Sequence, residues 1–182
     1  MREDCIEGMW MEMKDVLASK DLIMASLEVA GLLHRDEFEM EDQNLEYEGF
    51  VLTLNDWTYR SRRARKTPNK KGYFTAFWRK GTDGRNRPYT LEECTDRLII
   101  AVLDQGKKGQ FIFPKEVVAS KGIVTTGSSK GKMAMRVYPD WVTGLNPTAR
   151  KTQAWQSEYF MDMSGEVDGN LIRSHYLRKD YT

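Results

Sequence analysis

The chain has 182 residues, of which 40% are hydrophobic and 11% aromatic, and its formal net charge is +1. This composition is typical of a folded globular protein and excludes a disordered chain. No apolar run is long enough to span a bilayer, and the first residues lack the basic-then-apolar order of a signal peptide. Two cysteines and two histidines are too few for a disulfide framework or a Cys/His zinc site, so we expect a single-domain cytoplasmic protein.

Charge is divided unevenly along the chain. Residues 1–48 contain fourteen acids and four bases, whereas residues 49–182 contain thirteen acids and twenty-four bases. A basic body of this kind favours a nucleic-acid partner. The alternative is that the acidic segment lies against the basic body and shields it.

The first half of the chain predicts a helical region followed by strands. Apolar residues at mixed helical spacing over 9–33 predict one broken helix or two short ones, and the acid-rich stretch 37–48 predicts a loop. Strands are predicted at 47–54 and 57–61, and Asn55-Asp56 between them is typical of a hairpin turn. Residues 72–79 predict an aromatic-rich strand.

The run from Arg60 to Lys71 lies between that hairpin and the aromatic strand. Seven of its twelve residues are cationic and none is acidic. Clustered Arg and Lys on a folded scaffold indicate contact with phosphates, and we therefore expect a nucleic-acid or polyphosphate partner. The predicted contact residues in the run are Arg60, Arg62, Arg63, Arg65, Lys66, Thr67, Lys70 and Lys71. Lys115, at a strand end, and Arg136, within a strand, are two further candidates, each of which could instead form a structural ion pair.

The second half predicts a buried strand and a second helix. The near-continuous apolar run 97–103 is typical of a central strand covered on both faces. Further strands are predicted at 110–114 and 132–138, and a short helix at 116–121. Asn146-Pro147 predicts the start of a helix that ends near residue 161, followed by a turn at 164–169 and a fraying end. The order predicts an α+β fold: one domain with a mixed or antiparallel central sheet flanked by N-terminal and C-terminal helices.

Several phrases resemble the MepB-like family of bacterial proteins. They are Lys66-Thr-Pro-Asn-Lys-Lys-Gly-Tyr-Phe-Thr-Ala-Phe-Trp78 and the segments at 109–115, 131–141 and 152–156. The resemblance spans residues 45–160, with an acidic helical segment at 1–44 before it and an extension at 161–182 after it. It implies a bacterial cytoplasmic protein and transfers no catalytic residues.

We considered three functions. The first is nucleic-acid binding of low sequence specificity, without catalysis, because phosphate contacts position a protein and base contacts specify. The second is a restriction-type nuclease with Glu48, Asp104 and Lys115 as catalytic residues, in which Glu48 and Asp104 would hold Mg²⁺. However, the acid-x-Lys triplet of such sites is absent from the strand on which it is expected. If the protein is not a nuclease, we expect no cofactor. The third is a non-enzymatic interaction protein with a charge-segregated surface.

The aromatic side chains allow two interpretations. Tyr73, Trp78, Trp141 and Trp155 occur at strand and helix spacings that are typical of core or rim positions. Aromatic side chains also stack on bases in proteins that bind single strands. Cys94 lies among acids, which argues against an activated thiol.

Overall fold

The computed structural model describes residues 18–33 and 37–177. The predicted helical residues 9–17 and the final residues 178–182 lie outside the described residues. Within the described part of the chain, no helix has the length and apolar character that crossing a membrane requires.

Four helices and twelve strands make up the described chain. The helices are α1 (Ala18–Val29), α2 (Lys115–Ser120), α3 (Pro147–Gln156) and α4 (Gly169–Tyr176). The strands are β1 (Glu37–Met40), β2 (Phe50–Leu54), β3 (Trp57–Thr67), β4 (Lys70–Ala76), β5 (Arg79–Lys80), β6 (Asn86–Arg87), β7 (Arg97–Asp104), β8 (Lys107–Pro114), β9 (Thr125–Thr126), β10 (Ser129–Lys130), β11 (Ala134–Val137) and β12 (Phe160–Asp162). Short 3-10 turns cover Leu45–Tyr47 and Ser157–Tyr159.

The main sheet is mixed. Its strand order is β1-β2-β3-β7-β8-β12, and all neighbours are antiparallel except β3 and β7, which are parallel. β3 is long enough to serve two partners. Residues 59–64 pair with β7, whereas residues 65–67 pair with β4, which in turn pairs with β11. The predicted α+β fold with a mixed central sheet is confirmed.

β7 is the centre of the core, as its apolar run predicted. Ile99 and Ala101 belong to a buried cluster on the side of α1 and α4. Leu98, Ile100 and Val102 belong to a second cluster, which includes residues of β4, β11 and α2. Alternate side chains of β7 therefore enter opposite layers, which explains why the strand lacks an apolar–polar alternation.

Two local predictions are confirmed in detail. Asn55 and Asp56 both have positive φ, at 49° and 64°, as a two-residue hairpin turn that matches strand twist requires. The side chain of Asn146 accepts a hydrogen bond of 2.8 Å from the backbone N–H of Ala149, and Pro147 occupies the first turn of α3.

Three element predictions were wrong. Residues 37–48 are not a loop, because 37–40 pair with β2 as β1 and 45–47 form a 3-10 turn. The strand expected at 57–61 continues to Thr67, where β4 supplies its partner. The helix expected to reach 161 ends at Gln156, and residues 160–162 instead pair with β8. Residues 169–176, for which no element was predicted, form α4, which Asp168 caps and whose Ile172 and Tyr176 are buried in the core. The fraying expected of the final residues falls on 178–182, outside the described residues.

An ion-pair cluster joins the acidic segment to β3. Glu41 contacts both Arg60 and Arg62, and the side chain of Arg62 is fully buried. Glu48, also fully buried, accepts hydrogen bonds from Arg63 at 2.6 Å and from the backbone N–H of Ser19 at 2.7 Å. The described part of the acidic segment therefore lies against the first half of the basic run.

Burial alone would raise the pKa of Glu41, but the neighbouring Arg62 and Arg60 outweigh it and hold the pKa of this carboxyl below its ordinary value. Its carboxylate is therefore charged at neutral pH, and Arg62 is compensated. Replacing one member of such a pair leaves the other charge buried and unpaired, which is more costly than the loss of the attraction itself.

We expect Glu41→Gln to lower the free energy of unfolding by about 3–5 kcal/mol, because Arg62 stays buried without a counter-charge. Urea denaturation measures the change. Glu39→Gln is the matched control, since Glu39 is exposed on β1, and it should change the stability by less than about 0.5 kcal/mol. Equal stabilities of the two variants would contradict a stabilising role for the cluster.

Candidate functional site

A cleft of about 830 Å³ lies at one edge of the sheet, where three turns meet. Because β3 and β7 are parallel, their carboxyl ends reach the same edge. Pro68-Asn69 follows β3 and Gln105-Gly106 follows β7, and the segment 141–143 after β11 forms the remaining wall. The cleft is thus built from residues that are up to 77 positions apart in sequence.

The charged residues of the cleft are mainly lysines. Lys66, Lys70, Lys71 and Lys107 line it, and Asp104 is the one carboxylate among the lining residues. All four lysines are exposed. The cleft therefore has a positive potential, which is partly offset at Asp104.

A chain of hydrogen bonds crosses the wall of the cleft. The indole Nε1–H of Trp141 donates to the hydroxyl of Tyr73 at 3.2 Å, and this hydroxyl donates to Oδ2 of Asp104 at 2.7 Å. Nζ of Lys66 donates to the same oxygen at 2.8 Å. The bond from Lys66 is the main reason that the pKa of Asp104 lies below its ordinary value, and the bond from Tyr73 adds to it. Burial raises the pKa of Tyr73, so its hydroxyl remains a donor at neutral pH.

Gly72 and Arg136 hold the β3–β4 hairpin in place. Gly72 has φ of +77°, and a Cβ at this position would lie 2.5 Å from the ring of Tyr138, so only glycine fits. Arg136 donates to Oγ1 of Thr67 at 3.0 Å and to the carbonyl oxygen of Gly72 at 3.3 Å. Arg136 and Thr67, both predicted as phosphate contacts, thus bond to each other across the hairpin.

The lysines at the tip of the hairpin keep donors available. Nζ of Lys71 donates to the carbonyl oxygen of Thr143 at 2.8 Å, which uses one of the three protons of the ammonium group. Lys70 is exposed at the start of β4. Lys107 of β8 pairs with Asp104 of β7 in the hairpin register, and its Nζ is 5.9 Å from the centroid of the Trp141 ring.

The arginines of the basic run lie elsewhere. Arg60, Arg62 and Arg63 are engaged with Glu41 and Glu48 as described above, and the buried Arg62 presents no donor to solvent. Arg65 is exposed, and its Nε–H donates to the carbonyl oxygen of Glu46 at 2.7 Å. The predicted contact surface is therefore divided: its lysines line the cleft and its arginines do not.

Lys115 lies far from the cleft. Asp104 pairs with Lys107 at one end of the β7–β8 ladder, and Arg97 pairs with Pro114 at the other. Seven residues of extended chain separate the two ends, which corresponds to about 23 Å. Lys115, which directly follows Pro114, cannot share a surface with Lys66 and Asp104.

The three residues expected to form a nuclease site do not converge. Glu48 is buried beside Arg63, Asp104 is bonded to Lys66, and Lys115 lies at the opposite end of β8 from the cleft. Among residues 18–33 and 37–177, no group of three or more His, Cys, Asp or Glu side chains is placed to hold a metal ion. Burial raises the pKa of the Cys94 thiol, which agrees with an inert cysteine.

Sequence reasoning missed Lys107 and the joint position of Tyr73, Trp141 and Asp104. Lys107 had a usable signal, since Asp104-Gln-Gly is a turn that returns the chain to the same edge. Trp141 had none, because its contact with Tyr73 joins residues 68 positions apart.

Comparison with known proteins identifies one family. The MepB-like family model matches residues 41–162. The crystal structure of MepB is 40% identical to this chain, covers 82% of this chain and 99% of its own, and superposes with a TM-score of 0.72. A bacterial homing endonuclease covers 91% of this chain and 95% of its own, but its identity is 15% and its TM-score is 0.44, which is too low to support a conclusion. No curated protein matches the chain.

The bond from Lys66 predicts how Asp104 titrates. Because the folded pKa of Asp104 lies below its ordinary value, the ion pair contributes its full stability above the ordinary value and loses it as the pH falls through the folded pKa. We expect Lys66→Met to raise the pKa of Asp104, as followed by carboxyl ¹³C NMR. Lys108→Met, which removes an exposed charge from the same edge, should leave it nearly unchanged. A pKa of Asp104 that is equal in the Lys66→Met variant and the unchanged protein would contradict the assigned cause.

Proposed function

The chain belongs to the MepB-like family, and we propose that it binds nucleic acid through backbone phosphates in the cleft beside the β3–β4 hairpin. The observation that carries the proposal is the division of the basic run. Its arginines form ion pairs with Glu41 and Glu48 or hydrogen bonds to backbone carbonyls, whereas its lysines are exposed around one concave surface.

The charges of the cleft suit a chain of phosphates. The charge of Lys66 is largely balanced by Asp104, which leaves Lys70, Lys71 and Lys107 to face an anion. These lysines come from two different hairpins, so they can contact successive phosphates rather than one. Each phosphate that a lysine neutralises releases condensed counterions, which favours binding at low salt.

Low sequence specificity follows from the same chemistry. Lys presents a compact charge on a flexible stem and does not impose the paired geometry with which Arg reads a base edge. Contacts of this kind position a nucleic acid without reading its sequence. In this proposal the protein acts in the cytoplasm, and binding needs no cofactor and involves no catalysis.

The acidic segment has a structural role in this proposal. Glu41 compensates the buried Arg62, and the buried Glu48 is paired with Arg63. The segment that carries these two acids is therefore part of the fold, and it does not act as a removable cover over the lysines. This distinguishes the proposal from an interaction protein regulated by removal of its acidic head. Deleting residues 1–44 should destabilise the fold, since it removes Glu41 and α1.

Replacing Lys70, Lys71 and Lys107 together by Gln tests the proposed site. We expect weaker binding of mixed-sequence DNA, and the slope of log K against log salt should decrease by about 0.7 for each lost phosphate contact of a single strand, or by about 0.9 for each contact of a duplex. Fluorescence anisotropy at several salt concentrations measures both quantities.

The matched control replaces Lys115, Lys121 and Lys151 by Gln, which removes the same charge from residues that do not line the cleft. Its salt slope should stay close to that of the unchanged protein. Equal effects of the two triple variants would indicate that net charge, and not the cleft, determines binding.

A further inference from the structure

An aromatic wall lies among the lysines of the cleft. Trp141 is half-buried and lines the cleft, with its indole N–H bonded to Tyr73 at 3.2 Å. Its ring packs against Phe160 with the centroids 5.2 Å apart and the planes at 76°. One hydrogen bond and one ring contact therefore fix the orientation of the indole before any ligand arrives.

The face of Trp141 toward Lys107 is loosely covered. Nζ of Lys107 is 5.9 Å from the centroid of the Trp141 ring. Elsewhere in the protein a cation lies closer to its ring, since the guanidinium of Arg97 is 4.5 Å from the centroid of Trp57. Lys107 is exposed and belongs to a flexible residue type, so it can move aside with little loss of interaction. A planar group stacked on an aromatic ring needs a centroid separation within about 4.5–7 Å, which this face can supply.

We propose that Trp141 stacks on a base of single-stranded nucleic acid whose phosphates lie on Lys70, Lys71 and Lys107. This deepens the proposed function and rests on it. Base stacking on an aromatic side chain tolerates any sequence, because every base has a π-face. It therefore adds affinity without adding specificity, in agreement with phosphate contacts made by lysines.

The position of Trp141 selects against a duplex. In a duplex the bases are stacked on each other inside the backbone, and reaching a half-buried indole requires that a base leave the stack, which costs free energy. A single strand presents its bases at no such cost. The cleft volume of about 830 Å³ is of the size that takes a ligand of a few rings.

Three probes of equal length separate the contributions of base and phosphate. They are a short oligothymidylate, an abasic oligonucleotide and a mixed-sequence duplex, each measured at one salt concentration. We expect the protein to bind the oligothymidylate most tightly. Trp141→Leu should weaken this binding by about 5- to 150-fold, the range for one stacked base, and leave binding of the abasic strand unchanged.

Trp78→Leu is the matched control. Trp78 is also half-buried beneath a lysine, with Nζ of Lys80 at 5.5 Å from its ring, but it lies beyond the end of β4 opposite to the cleft. Its replacement should not change the ratio of affinities for oligothymidylate and abasic strand. Trp141→Phe keeps a smaller ring and should give an intermediate loss, which provides the same comparison if Trp141→Leu does not fold.

Several outcomes would overturn the inference. Equal weakening of the thymidylate and abasic strands by Trp141→Leu or Trp141→Phe would show a structural role for the indole. Equal affinity of the unchanged protein for single strand and duplex would show that no base is engaged. Competition by thymidine monophosphate at the concentration of the strand would assign the cleft to a free nucleotide. The lysine triple variant tests the phosphate contacts separately, so a loss of stacking alone leaves the proposed function standing.

Discussion

The buried guanidinium of Arg62 is the constraint on which the arrangement of this protein depends. A charged group enters the interior of a protein only with a counter-charge and hydrogen bonds, because its desolvation is otherwise too costly. Glu41 supplies the counter-charge and Tyr89 a further contact at 3.2 Å. The segment that carries Glu41 must therefore lie against β3, and the acidic and basic parts of the chain are joined inside the fold.

This constraint divides a run of cations that looks uniform in sequence. Arg60, Arg62 and Arg63 precede the point where β3 passes from β7 to β4, whereas Arg65 and the lysines follow it. Arg suits the inner position, since its planar, weakly hydrated group forms several hydrogen bonds when it is enclosed. Lys suits the outer position, since its strongly hydrated ammonium group remains in water. A dense basic sequence thus forms two structures, one that stabilises the fold and one that faces solvent.

The parts of the fold that were predictable from sequence depend on local chemistry. The turn at Asn55-Asp56, the cap at Asn146 and the apolar strand β7 each follow from a few adjacent residues. β1 and the end of β3 were missed because charged side chains hide their alternation, and only their sheet partners make them strands. The lysines of the cleft were predictable from composition. The position of the arginines outside the cleft was not, because it depends on ion pairs with acids that are 15–21 positions away in sequence. The separation of Lys115 from Asp104 could have been derived, since a turn at Gln105-Gly106 sets the register of β8.

The negative charge of Asp104 determines on which side of the proposed site a phosphate is favoured. Its carboxylate repels phosphate oxygens, and its bonds to Lys66 and Tyr73 keep it charged and fixed. A phosphate is therefore favoured at Lys70, Lys71 and Lys107 and disfavoured beside Lys66. Trp141 is linked to Asp104 through the hydroxyl of Tyr73, so the same hydrogen-bond chain that places the negative charge also places the indole. In the proposed complex, this chain would hold the base and the phosphates of one strand on different sides of a single rigid network.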